Sequence, residues 1–307
     1  MPKAPKNSEA VDTIKHLRAL GQSWTAIGSR LGIDRRTAKK WFEIGTGIKP
    51  NEETFLVNTA SPFSFARFKP VVVTGDIIAA PDWHIPLHDP HMVNGLIRVA
   101  REHNIKKLVI YGDYFHMDTF SHFLPHQPEA DLNIERNQGS DIMRKLLLTF
   151  DEIVLSWGNH EHRFAKLLDF KLSFADCMRF MFQELEPELL ERITFSELDY
   201  VMYETDLRTV RLCHQTNFSK VPLTVPRQLA MKHNCSVFSG HSHHFALGVA
   251  LDGKNLIGEG GGLFDKAKTE YIQKTTTHHE WAQGFYMFKE GVPTPFSPLL
   301  GNMEVNS

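Results

Sequence analysis

Five short segments of the chain run from apolar residues into side chains that bind metal ions or carry protons. DIIAAPDWH (76–84) ends on Asp82 and His84, KKLVIYGD (106–113) on Asp113, and EIVLSWGNHE (152–161) on Asn159, His160 and Glu161. RTVRLCH (208–214) ends on His214, and CSVFSGHSHH (235–244) carries His241 and His243. Imidazole nitrogen and carboxylate oxygen together suit Mn, Fe, Zn and similar divalent ions, and the motifs contain no metal-spaced cysteine of a structural zinc site. A carboxylate has two oxygens and can bridge two ions, a role that falls to Asp113. Singly, each residue reads as a strand-end hydrogen-bonding group or a helix cap; the ordered set does not.

Strands must bring these residues together. From residue 76 onward, apolar runs alternate with helical segments: a helix near 90–103, another near 133–148, and a long one within 162–190. That alternation predicts an α/β fold. In an open α/β sheet the carboxyl ends of the strands meet on one rim, where ligands bind. Glycine at 112, 158 and 240 lets the backbone turn sharply before the functional side chain. Later segments predict further strands, with Asp252-Gly253 as a two-residue hairpin turn and GFYMFKEG (284–291) as the last strand.

The first 50 residues differ in character. They carry ten Lys/Arg against four Asp/Glu, net +6, which leaves −8 on the other 257 residues given the overall −2. Ala10, Ile14, Leu17 and Leu20 share one helical face, Ser23 caps a second helix, Gly32 turns the chain, and Asp34 caps RRTAKKWFE. Three short helices this closely joined resemble a helix-turn-helix of the homeodomain-like or resolvase type, with Trp24, Ile27, Leu31, Ile33, Ala38 and Trp41 as its core. The resemblance implies that Arg35, Arg36, Thr37, Lys39 and Lys40 face a DNA groove and its phosphates. The expected organisation is therefore 1–45 helix-turn-helix, 46–75 linker packing through Phe63, Phe65 and Phe68, and 76–307 catalytic body.

Composition sets the remaining bounds. With 42 % apolar and 23 % charged residues the chain has material for a large core. No 18-residue apolar run or signal-peptide core occurs, so no membrane partner is expected. Cys177, Cys213 and Cys235 are too few for a disulfide framework, and a cytoplasmic location is the expectation. Seventeen histidines exceed what packing needs; of those not expected to bind metal or carry protons, His88, His91, His116, His122, His126, His162, His244, His278 and His279 are expected mostly at the surface or behind the ligands. Oligomeric state stays open, a homodimer included.

D-x-H, G-D, G-N-H-E, a His after a strand, and G-H-x-H, in this order over about residues 76–265, resemble the calcineurin-like metallophosphoesterase superfamily. The resemblance implies a four-layer α/β/β/α sandwich and two divalent ions, Mn foremost, with Fe, Zn, Ni or Mg as alternatives. One ion would be held by Asp82, His84, Asp113 and His243, the other by Asp113, Asn159, His214 and His241. Family members attack phosphorus in line with a metal-bridging hydroxide; His160 would serve the leaving oxygen, with Glu161 orienting it. A carboxylate common three residues after the bridging Asp is His116 here, with Asp118 two further on. Arginines that clamp a monoester in protein phosphatases have no counterpart beside Asp113 or before Gly158. The basic N-terminal segment then points to a DNA phosphodiesterase or nuclease; the alternative is a phosphatase or cyclic phosphodiesterase of small nucleotides, with the N-terminal segment used for assembly or tethering.

Overall fold

The computed structural model describes residues 8–46, 69–121, 131–268 and 281–303. The chain divides into two compact units, residues 1–65 and 66–307. Phe63, Phe65 and Phe68, expected to pack a linker, lie outside the described residues.

In the first unit, α1 (Ser8–Ala19), α2 (Trp24–Leu31) and α3 (Arg35–Thr46) surround a small core of Ile14, Leu17, Ile27, Ala38 and Phe42. Trp24, Leu31, Ile33 and Trp41 pack half-buried against it. Ser23 Oγ accepts from Ala26 N at 3.2 Å and starts α2, satisfying one of the helix's orphan donors. Gly32 ends it at φ 64°. The buried face of α1 is Val11, Ile14 and Leu17; Leu20 follows the helix end and is exposed. Arg35, Arg36 and Lys40 are exposed on α3, with Thr37 and Lys39 half-buried.

The second unit holds twelve strands among its described residues: β1 (Val72–Thr74), β2 (Ile77–Ala79), β3 (Lys107–Tyr111), β4 (Glu152–Ser156), β5 (Ile193–Ser196), β6 (Tyr200–Glu204), β7 (Thr209–Cys213), β8 (Ser236–Ser239), β9 (Phe245–Val249), β10 (Leu256–Gly260), β11 (Phe285–Lys289) and β12 (Val292–Phe296). They form two six-stranded sheets, ordered β1-β6-β7-β8-β10-β9 and β12-β11-β2-β3-β4-β5. Strands β2 to β5 run parallel in one sheet, as do β7, β8 and β10 in the other.

Strand periodicity explains the layers. Ile77, Ala79, Val109, Tyr111 and Val154 of one sheet face Val201, Tyr203, Val210, Leu212 and Phe238 of the other in one buried cluster. Their alternates, Ile78, Leu108, Ile110, Ile153 and Leu155, point outward into a second cluster. There they meet Met92, Leu96 and Val99 of α4 (Pro90–Glu102) and Ile142, Met143 and Leu146 of α5 (Leu132–Leu147). The other sheet packs Cys213, Val237 and Ile257 against Ala230 of the helix Thr224–His233. Being buried on both faces is why the central strands read as continuous apolar runs. The layers are helix, sheet, sheet, helix.

Four expectations change in detail. The linker reading of 46–75 runs too far, because Val72–Thr74 is β1, paired with β6. The long helix within 162–190 is three: α6 (Asn159–Leu167), α7 (Phe174–Met181) and α8 (Pro187–Leu190). Asp169 and Phe170 both take positive φ after α6, and Ser173 caps α7. Pairing of β9 and β10 extends to Ala250 N→Asn255 O, so Leu251–Lys254 form a four-residue loop in which Asp252 Oδ1 accepts from Lys254 N and Asn255 N. GFYMFKEG is followed by β12, an edge strand whose prolines, Pro293 and Pro295, disguise it.

Candidate metal centre

Five strands deliver the site from their carboxyl ends. Asp82 and His84 follow β2, Asp113 follows β3, and Asn159 and His160 open α6 after β4; His214 follows β7, and His241 and His243 follow β8. The two sheets therefore meet at one rim. Asp82, His84, Asp113, His241 and His243 all take left-handed backbone, with φ between 51° and 74°. For non-glycine residues that conformation costs about 1–3 kcal/mol each and persists where the surroundings impose it. Two glycines make the approach possible. A Cβ on Gly158 would lie 2.0 Å from Asp113 Oδ1, and one on Gly112, at φ 92°, would lie 2.4 Å from the His214 ring.

The side chains converge without solvent. Asp82, His84, Asp113, His160, His214 and His243 are all buried, with Asn159 and His241 half-buried. Ligand-capable atoms of Asp82, His84 and His243 lie within 4.8 Å of one another, as do those of Asp113, His214 and His241. His214 Nε2 joins the two groups, 3.1 Å from Asp82 Oδ1 and 3.2 Å from Asp113 Oδ2. His84 Nε2 lies 3.1 Å from His243 Nε2 and 3.9 Å from Asp113 Oδ2.

Burial drives His84 down to about 4 and His241 to about 4, so both rings are neutral at pH 7, the form that ligates. Burial alone would raise the Asp82 carboxyl, but His243 and His214 hold it well below the usual carboxylate range. Asp113 is likewise held low, by His160 and His214 against its burial.

These residues fit divalent ions. Asn159 Oδ1 is buried with no hydrogen-bond partner among the described residues, an arrangement that costs free energy unless something occupies the lone pair. The donor set of carboxylate oxygen, amide oxygen and imidazole matches such ions. All seven residues expected as ligands, Asp82, His84, Asp113, Asn159, His214, His241 and His243, reach this rim.

Glu161 departs from its expected role. It is the third residue of α6, so its carboxylate folds back over the helix start instead of toward His160. Oε2 accepts from Gly158 N at 2.9 Å and Asp113 N at 3.1 Å, and Oε1 accepts from Phe115 N at 3.0 Å. Three backbone donors occupy it; it positions Asp113 and is fully buried. His160 is instead oriented by the His116 carbonyl, which accepts from Nδ1.

His116 fills the place of the expected carboxylate and is buried. Its Nε2 lies 2.7 Å from Asp118 Oδ2, and its Nδ1 lies 3.2 Å from His84 Nδ1. One proton assignment satisfies this network: Asp118 accepts from His116 Nε2, and His116 Nδ1 accepts from His84 Nδ1. That leaves the His84 Nε2 lone pair directed at the centre.

Two groups escaped the sequence reading. Glu135 on α5 accepts from Met117 N at 2.6 Å and ties down the loop after β3. Arg163 donates from Nη1 to Asp118 Oδ1 at 2.9 Å and to the His116 carbonyl at 3.2 Å, while Nη2 lies 3.1 Å from His160 Nε2. No arginine closely follows Asp113 in sequence, yet Arg163 stands beside His160 and Asp118 in space. Its signal was the i, i+3 spacing from His160 along a helix.

No protein-family model matches the chain, and no curated protein does. Among solved structures, the phosphoesterase YfcE from E. coli is 11 % identical, with 76 % of this chain and 97 % of that chain covered at a TM-score of 0.39. A Vps29 single mutant from Entamoeba histolytica is 10 % identical over 72 % of this chain and 97 % of that one, TM-score 0.36. A predicted phosphoesterase from Streptococcus pneumoniae is 13 % identical over 73 % and 97 %, TM-score 0.32. What this chain does rests on its own residues.

Proposed function

We propose that the chain is a dinuclear-metal phosphoesterase of the calcineurin-like superfamily and that its substrate is a DNA phosphodiester. The observation that carries the enzymatic part is the pair of ligand groups, Asp82/His84/His243 and Asp113/His214/His241, meeting at one rim through His214. Asp82, His84, Asp113 and His243 would hold one ion, and Asp113, Asn159, His214 and His241 the other. Bound there, two divalent ions supply Lewis-acid polarisation of the phosphoryl oxygens and a nucleophile usable at neutral pH.

The chain's own residues do the rest. Asp113 Oδ1 accepts from His160 N at 2.9 Å, which fixes the start of α6 against β3. His160 has Nδ1 committed to the His116 carbonyl, so Nε2, 3.8 Å from Asp113 Oδ2 and 3.1 Å from Arg163 Nη2, is the atom that would serve a leaving oxygen, exchanging Arg163 for it. Near-complete burial of the carboxylates excludes bulk water and strengthens every electrostatic term.

Support for DNA comes from the three-helix unit, whose α3 exposes Arg36 and Lys40 on the side opposite Ala38 and Phe42, with Arg35 exposed at its first position. A helix with that distribution suits phosphate contact. The test is Mn²⁺-dependent cleavage of end-labelled single- and double-stranded DNA by wild type and His160→Ala. Cleavage lost in the variant supports the reading. Intact DNA in both, with turnover of a cyclic or mononucleotide phosphate ester, transfers the activity to small nucleotides.

A further inference from the structure

The body carries −8 overall and its centre is built on two carboxylates, so a fixed positive group beside it would add to the pull of any metal on a phosphate ester. Among the described residues, Arg163 is the one Lys or Arg side chain hydrogen-bonded to a residue of the centre, through His160. Its side chain is 22 % exposed, so one edge reaches solvent beside the buried ligands.

How Arg163 is held decides what it can do. Both Nη1 protons are committed, one to Asp118 Oδ1 and one to the His116 carbonyl. One Nη2 proton faces His160 Nε2. A guanidinium has five N–H donors, which leaves the second Nη2 proton and the Nε proton without a partner among the described residues. Asp118 is itself fixed from the other side by His116 Nε2 at 2.7 Å. The fork is therefore oriented before any ligand arrives, and little side-chain entropy remains to be lost on binding.

We propose that Arg163 is the substrate-phosphate clamp of this site, binding a non-esterified phosphoryl oxygen with its free donors while Asp118 and the His116 carbonyl hold it. This rests on the phosphoesterase reading and adds a binding residue to it. The sequence places the clamp on α6, one helical turn after His160, so the two cationic or proton-bearing groups that meet the phosphate ride on one element. A lysine there would keep the charge and lose the fork.

The test is calorimetric titration of the Mn²⁺-loaded full chain with inorganic phosphate, for wild type, Arg163→Lys and Arg163→Met, alongside Mn²⁺ affinity and melting temperature. A charge-assisted hydrogen bond removed from a desolvated anion weakens binding by about 10- to 100-fold. The expected result is that loss in Arg163→Met, an intermediate loss in Arg163→Lys, and unchanged Mn²⁺ affinity in both. KM for bis(p-nitrophenyl) phosphate rises in parallel. Phosphate affinity unchanged in Arg163→Met, or absent from Mn²⁺-loaded wild type, overturns the clamp. So does loss of phosphate affinity only in step with Mn²⁺ affinity or melting temperature, the signature of a loop pin. Arg163-dependent phosphate binding without turnover of any ester would leave the clamp standing and sink the phosphoesterase reading instead.

Discussion

Removing His116 tests whether the chain Asp118–His116–His84 aims a metal ligand. In His116→Ala the His84 Nδ1 proton loses its acceptor at 3.2 Å, and Asp118 loses a donor at 2.7 Å. The first bond is neutral, worth about 0.5–1.5 kcal/mol, and the second is charge-assisted, about 1.5–3 kcal/mol. Only the first acts directly on His84, because the Asp118 carboxylate keeps Arg163 as a partner. His84 is then free to rotate or to adopt the other tautomer. Affinity for the ion it helps hold should fall by roughly 2- to 13-fold, the worth of that one bond, toward the low end of what deleting a group behind a ligating histidine costs. Calorimetric Mn²⁺ titration of the two proteins reads this directly. A His116→Ala protein with wild-type Mn²⁺ affinity and a normal melting temperature would refute the orienting role.

Other outcomes follow from neighbouring geometry. Burial pushes the Glu135 carboxyl up to about 8 from an ordinary 4.5, so its stabilising contribution is full below 4.5 and is lost as pH rises through 8. Between pH 6 and 8 the urea-unfolding free energy of wild type should drop by about 2–3 kcal/mol relative to Glu135→Gln, and equal slopes would contradict it. Gly158→Ala forces a Cβ to within 2.0 Å of Asp113 Oδ1 and 2.2 Å of its backbone nitrogen. A displacement of that order should reduce esterase turnover by about 10²-fold, where wild-type rates would show that Asp113 has room to move. Arg35→Ala/Arg36→Ala should weaken duplex binding and lower the salt slope by about two, which a filter-binding series from 50 to 200 mM salt would measure.

Much of the body was legible because the central strands are buried on both faces and end on glycine followed by a polar side chain. The seven residues that the resemblance implies as ligands stand at those strand ends. What escaped was set by partners distant in sequence. Glu161 looked like an orienter of its neighbour His160, yet helix geometry turned it onto backbone amides of a loop 46 to 48 residues away. Arg163 drew no role from its place in sequence, and only α6 sets it against the His116 carbonyl and Asp118. The β12 strand was hidden by its prolines, and the helix expected within 162–190 was broken by residues after α6 at positive φ. In the N-terminal unit Ile14, Leu17, Ile27 and Ala38 were readable from spacing, but Phe42 also fills the core, Val11 is buried in place of Leu20, and Trp24, Leu31, Ile33 and Trp41 are only half-buried.

The central claim is a two-ion centre joined through Asp113. It is tested most directly by counting Mn²⁺ bound per chain in wild type and Asp113→Ala while following hydrolysis of bis(p-nitrophenyl) phosphate in metal-defined buffer. The account predicts two ions and turnover in wild type, with both turnover and at least one ion lost in the variant. Undiminished hydrolysis by Asp113→Ala would contradict it.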